Sequence, residues 1–248
     1  TEFIEGINGQ SYFGVNNLQA WNGTLWFQTN SNSQNEIWRV SGDNVEPVFS
    51  SLKTVHSMLF FKDELYVAGI KDNFRALWKW DGNPNSDLEL LNGFSELPNS
   101  AGYISPSLMR NRFYFWGKTG TDNQSLFSSN GREDGTVSII NDSGNSGIGR
   151  TPEAVNDSLL IFPFSSSNEG TEPWRSNGTL NSEEMIVDLR PGSLSSFPIF
   201  RKTEDRRYAY FTATGESTKS LYRTDGSENG TLNIGPGIKT ITELIEYN

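Results

Sequence analysis

Pro173-Trp174-Arg175-Ser176-Asn177-Gly178 is one copy of a phrase that the chain repeats. Its counterparts are Ile37-Trp38-Arg39-Val40-Ser41-Gly42, Leu77-Trp78-Lys79-Trp80-Asp81-Gly82, Leu126-Phe127-Ser128-Ser129-Asn130-Gly131 and Leu221-Tyr222-Arg223-Thr224-Asp225-Gly226. Successive closing glycines stand 40, 49, 47 and 48 residues apart. A period in the forties marks a stacked or radial repeat, in which each unit buries its faces against its neighbours.

Around each phrase the sequence reads as four short strands. About 12 residues upstream lies an apolar triplet: Leu25-Trp26-Phe27, Leu65-Tyr66-Val67, Phe113-Tyr114-Phe115, Leu160-Ile161-Phe162 or Ala209-Tyr210-Phe211. Such triplets are too short for helices and rich in strand-favouring aromatic and β-branched residues. Three consecutive apolar residues need cover on both faces, as in a sheet held between two others. The Asp-Gly and Asn-Gly pairs suit tight hairpins, because these residues tolerate positive φ. A further strand follows each glycine, and a segment of mixed polarity precedes each triplet.

The expectation is an all-β fold, a β-propeller of five four-stranded antiparallel blades, in one domain spanning 1–248. Its units fall near 15–49, 55–91, 104–140, 152–188 and 197–234. Segments 1–5 and 242–248 read as surplus strands. A closed five-bladed ring is the first expectation, and a segment of a six-bladed or longer array the second. No helical periodicity is visible, which excludes the helical solenoids.

The wording of the fourth unit resembles a bacterial repeat family. Gly170-Thr171-Glu172-Pro173-Trp174-Arg175-Ser176-Asn177-Gly178-Thr179, then Ile186-Val187-Asp188-Leu189-Arg190-Pro191-Gly192, follows the pattern G-x-E-L-W-x-S-D-G-T-x-x-G-T-x-L-V-x-D-I-x-P-G. The last unit matches well through Leu221 to Thr231, and the third keeps Asn130-Gly131 and Gly135-Thr136. The first two units lack the downstream Gly-Thr. The family occurs in secreted and surface proteins and forms propellers, so the resemblance implies that architecture and a secreted or cell-surface location. It is silent about activity.

Composition narrows the chemistry. There is no cysteine, which removes disulfides and thiolate metal sites, and the single histidine is His56. One histidine removes most zinc and Ser-His-Asp arrangements. A net charge of −10 argues against nucleic acid and anionic membrane surfaces as partners. No apolar run is long enough to cross a membrane as a helix. The chain opens at Thr1 without a methionine or an apolar leader, and is read as a processed or excised form.

Candidate functional residues are sought where the repeat breaks. Trp38, Trp78, Phe127, Trp174 and Tyr222 occupy one equivalent position and read as core between blades. Trp21, Trp80 and Trp116 are not required by the repeat. They are the ligand-binding candidates, as stacking platforms for sugar, against a plainer reading in which they fill gaps between blades. Asp81, Asn83, Asn85 and Asp87 place oxygen ligands on alternate residues, a weak calcium signal that lacks the glycine and glutamate of an EF-hand loop. A glycosidase would need paired carboxylates, for which Glu153 and Glu243 are the candidates, with His56, Arg110 and Asp157 nearby in the pattern.

The reading preferred from sequence is a non-enzymatic binding or adhesion module, lectin-like, with carbohydrate or another surface polymer as partner. A glycoside hydrolase and an assembly unit that self-associates through its terminal strands are the alternatives.

Overall fold

A computed structural model describes residues 13–30, 35–49, 52–83, 85–91, 104–117, 125–141, 152–166, 168–201, 206–216 and 218–238. Among these residues there is no helix, and the strands form five four-stranded antiparallel sheets, each a meander of consecutive strands. Sheet I holds β1 (Phe13–Trp21), β2 (Thr24–Asn30), β3 (Asn35–Ser41) and β4 (Asn44–Phe49). Sheet II holds β5 (Leu52–Phe61), β6 (Glu64–Lys71), β7 (Phe74–Trp80) and β8 (Glu89–Leu90). Sheet III holds β9 (Ile104–Met109), β10 (Arg112–Gly117), β11 (Ser125–Ser129) and β12 (Thr136–Asn141). Sheet IV holds β13 (Glu153–Val155), β14 (Leu159–Ser166), β15 (Gly170–Ser176) and β16 (Glu184–Met185). Sheet V holds β17 (Ile199–Arg201), β18 (Ala209–Thr214), β19 (Lys219–Thr224) and β20 (Leu232–Pro236).

The five sheets coincide with the five sequence units. Segments 1–5 and 242–248 lie outside the described residues. The chain divides into two compact units, Thr1–Asn92 and Gly93–Asn248.

Packing follows from the apolar triplets. In every sheet the repeat aromatic sits opposite a triplet residue: Phe27 with Trp38, Val67 with Trp78, Phe115 with Phe127, Phe162 with Trp174, Phe211 with Tyr222. Three of these pairs are stacked rings, in sheets I, III and V. Cross-strand pairs of this kind are the unit of sheet stabilisation, and each ring removes a large apolar area from water. In the first unit, Trp26 and Ile37 of sheet I join Val55, Met58, Leu65 and Val67 of sheet II in one core. In the second unit, Tyr114, Trp116 and Leu126 of sheet III pack with Leu160 and Phe162 of sheet IV. Ile161 and Val155 of sheet IV pack with Phe200, Phe211 and Tyr222 of sheet V. Sheet IV is thus covered on both sides.

The hairpins explain the spelling of the motif. Asn130, Asn177 and Asp225 each accept, through Oδ1, the N–H two residues on, at 3.0, 2.9 and 2.9 Å. The hydroxyl just before, on Ser129, Ser176 or Thr224, accepts the N–H of the motif glycine at 3.0, 3.0 and 2.9 Å. That hydroxyl also meets the hydroxyl of Thr136, Ser182 or Thr231 at 2.8, 2.7 and 2.8 Å. These side chains replace strand bonds that the turn cannot make. A side chain at Gly135 or Gly230 would run into Asn130 or Asp225, so the downstream Gly-Thr serves the turn rather than a ligand. The Ser227 hydroxyl, followed by the Ser227 N–H, holds the Asp225 carboxyl below the usual range.

Glu172 has a separate structural duty. Its side chain is fully buried in β15. Oε2 accepts the Leu189 N–H at 3.0 Å and Oε1 the Ser196 N–H at 2.8 Å. The carboxylate therefore clamps both ends of the segment that leads into sheet V. Burial pushes its pKa up, and the bonds from Ser196 and Leu189 limit the rise.

Candidate functional site

The tryptophans singled out from sequence are placed by strand geometry. Trp80 and Trp116 fall within β7 and β10 rather than in loops, and are only 3% and 1% exposed. Trp80 packs on Trp26 and Phe49, with ring centroids 5.9 and 5.3 Å away, and its indole N–H donates to the Asn83 carbonyl at 2.8 Å. Trp116 lies against Phe162 and Phe164, at 5.9 and 6.5 Å. Neither indole presents a face for a sugar to stack on, which corrects the expectation of exposed platforms. The sheet beside each strand covers them. Trp21 is half-buried at the end of β1, stacked on Phe60 at 4.5 Å with its planes 8° apart. One face of that ring is already taken.

The Asp81 to Asp87 turn satisfies its own oxygens. Asp81 Oδ1 accepts the Asn83 N–H at 2.9 Å and also the Ser86 hydroxyl. The Ser86 hydroxyl, then the Asn83 N–H, hold Asp81 below the usual carboxylate range. Asn83 Oδ1 accepts the Asn85 N–H at 3.0 Å. Asp87 points elsewhere and pairs with Lys71 at 2.7 Å. These are turn-forming bonds, and the four side chains do not converge on a common point. Among the described residues no group of three or more His, Cys, Asp or Glu side chains gathers to hold a metal ion.

The glycosidase candidates are scattered. Glu153 is 7% exposed on β13, while Glu243 lies outside the described residues. His56 is half-buried on β5. Arg110 and Asp157 do meet, but as a turn-to-turn link: the Asp157 carboxylate accepts the Arg110 backbone N–H at 2.6 Å.

A groove that the sequence reading missed lies in the second compact unit, beside sheets III and IV. Arg112 opens β10, and Ser128 stands on the neighbouring β11, opposite Tyr114. The β11–β12 hairpin brings in Asp134 and Gly135, and β12 adds Val137, Ser138 and Ile139. The hairpin after β15 closes the other side with Gly178, Thr179 and Leu180, enclosing about 430 Å³. The Asn181 N–H donates to the Ile139 carbonyl at 3.0 Å and ties the two walls together. Gly178, at φ +82°, is required at the base, since a Cβ there would come within 2.6 Å of the Met109 methyl and 2.8 Å of the Tyr114 hydroxyl. Val137 and Leu180 are exposed apolar residues at the rim.

The Arg112 guanidinium forms the polar floor. Nε donates to the Ser128 hydroxyl, and Nη2 to the carbonyls of Ser128, at 3.2 Å, and Gly135. A sequence signal for it existed. Four units place a base directly after the repeat aromatic, namely Arg39, Lys79, Arg175 and Arg223, whereas the third has Ser128.

No family model and no curated protein sequence matches the chain. Among solved structures it is similar to a puromycin hydrolase, with a TM-score of 0.61, 11% identity, and coverage of 91% of this chain and 39% of that one. A prolyl endopeptidase aligns with a TM-score of 0.63 and 8% identity, over 91% of this chain and 36% of that one. A putative TolB from Agrobacterium tumefaciens aligns with a TM-score of 0.51 and 13% identity, over 86% of this chain and 79% of that one. The fold is that of the β-propeller. The chain spans about two fifths of the length of the hydrolase and of the endopeptidase, so the likeness is one of fold and carries no active site with it. In this β-propeller the described groove joins repeat residues of two hairpins, Gly135, Gly178 and Thr179, to two that depart from the repeat, Arg112 and Ser128.

Proposed function

We propose that the chain is a non-enzymatic binding module of a secreted or cell-surface protein, taking a carbohydrate or another polar surface polymer. The observation that carries this reading is the groove on sheet III. Ser138, Thr179 and Arg112 line it with hydroxyl and guanidinium groups beside the apolar rim of Val137 and Leu180. Saccharides present hydroxyls and apolar C–H faces in alternation, and a few polar groups on rigid strands suit them. Hairpins locked by side-chain bonds hold the walls in place before a ligand arrives, which lowers the ordering cost of binding.

The resemblance to the bacterial surface repeat family supports the location. A glycan array probed with the intact chain tests it. Binding is expected to disappear in a Thr179→Trp variant, which fills the groove from an exposed turn position. An array without hits, or hits indifferent to Thr179→Trp, would refute the reading.

A further inference from the structure

We propose that the groove selects acidic saccharides, with Arg112 receiving a sugar carboxylate; the saccharide part rests on the function proposed above. The argument comes from comparing one position across the five sheets. The register aligns Ser128 with Arg39, Lys79, Arg175 and Arg223, and Arg112 with Thr24, Glu64, Leu159 and Tyr208.

In three of the other four sheets the base faces a carboxylate, and in the fourth an aromatic ring covers it. Arg39 pairs with Glu46, Lys79 with Glu64 at 2.6 Å, and Arg175 with Glu184 at 2.7 Å. The Arg223 guanidinium lies over the Tyr208 ring at 4.3 Å. Sheet III moves the cation across to β10 and gives it only neutral acceptors, the hydroxyl and carbonyl of Ser128 and the carbonyl of Gly135. Among the described residues no carboxylate comes within 4.0 Å of Arg112. Asp134 lies on the same wall but is turned to Arg132, at 3.5 Å. Those three acceptors use Nε and Nη2, and no described residue accepts from Nη1.

The neighbouring junction shows what a filled groove looks like. There Leu159 replaces Arg112, and a Cβ on Gly226 would sit 2.9 Å from the Leu159 Cδ1. Arg175 crosses to the Gly226 carbonyl at 2.9 Å and closes the gap. On sheet III the small Ser128 removes the bridge and leaves the cavity open, lined by a guanidinium that pairs with no carboxylate among the described residues. A partly buried guanidinium without a counter-charge favours an anionic ligand, and its planar donors match a carboxylate. Thr179 and Ser138 line the same groove, and their hydroxyl oxygens, which donate to Asn177 Oδ1 at 2.6 Å and the Ile140 carbonyl at 3.3 Å, keep lone pairs for the ring hydroxyls of such a sugar.

The test is isothermal titration of the intact chain with oligogalacturonate and with the same oligomer methyl-esterified to neutrality. The acidic form is expected to bind at least tenfold more tightly, with the preference shrinking in high salt. Arg112→Gln is expected to abolish the preference. Leu180→Glu, at a rim position 59% exposed, is expected to do the same by repulsion without disturbing the fold. Equal binding of both oligomers, unchanged in Arg112→Gln, would overturn acid selection and leave the saccharide reading standing. If neither oligomer binds, the acidic-saccharide proposal falls, and the glycan array decides separately whether the saccharide reading stands.

Discussion

Removing the Glu172 carboxylate should unfasten the segment between sheets IV and V. The Glu172→Ala change leaves the Leu189 and Ser196 N–H groups without acceptors, and Ser196 is fully buried. Bonds to an ionised acceptor contribute roughly 1.5–3 kcal/mol each, so two amount to about 3–6 kcal/mol before compensation. The variant no longer has to bury a charge, which offsets part of this, and a net loss of about 2–4 kcal/mol is expected. Urea unfolding followed by tryptophan fluorescence reads it directly. Glu172→Gln supplies a second, opposite signature. Burial raises the folded pKa of Glu172, so its ionised form is disfavoured in the fold. Stability from this group is complete below the ordinary carboxylate range and is lost as pH rises through the raised value. The wild-type chain should therefore lose stability relative to Glu172→Gln as pH rises from about 4 towards neutrality. A Glu172→Ala variant within about 0.5 kcal/mol of wild type would refute the clamp, whereas a gap to Glu172→Gln that widens in favour of wild type with rising pH would refute the upward shift.

Three further outcomes are expected. Trp80→Ala and Trp116→Ala should each cost about 3–5 kcal/mol in chemical unfolding, because both empty a buried site; a loss under about 1 kcal/mol would return them to the list of surface residues. Gly230→Ala should displace Asp225 from Ser227 and lower stability by about 1–2 kcal/mol, read by thermal melting. Millimolar calcium should leave the melting temperature unchanged, because the Asp81 turn bonds its own oxygens and Asp87 is paired with Lys71; a rise of several degrees would contradict this.

The architecture was legible because each sheet meets the same requirement for cover on two faces, and the sequence repeats the residues that meet it. The motif glycines and the Ser/Thr-Asn/Asp pairs recur for the same reason, since each hairpin closes with the same bonds. The tryptophans were harder to read. Trp116 lies just beyond an apolar triplet and Trp80 two residues after the repeat aromatic Trp78, yet both are still inside a strand, where a neighbouring sheet buries them, so departure from the repeat did not mean exposure. Arg112 escaped notice because its meaning is relational. It stands one strand away from the position it replaces, and only the pairing of β10 with β11 shows that the base missing at Ser128 has been supplied from across the sheet.

The hairpin bonds also bear on how this protein ages. Asparagine followed by glycine deamidates when the glycine nitrogen attacks the asparagine side-chain carbonyl carbon. At Asn130-Gly131 and Asn177-Gly178 the glycine N–H is held by Ser129 and Ser176, and the asparagine oxygen is held by Arg132 and Thr179. Both the nucleophile and its target are restrained, so these two sequences, labile in a free peptide, should outlast their usual lifetime for as long as the blades stay folded.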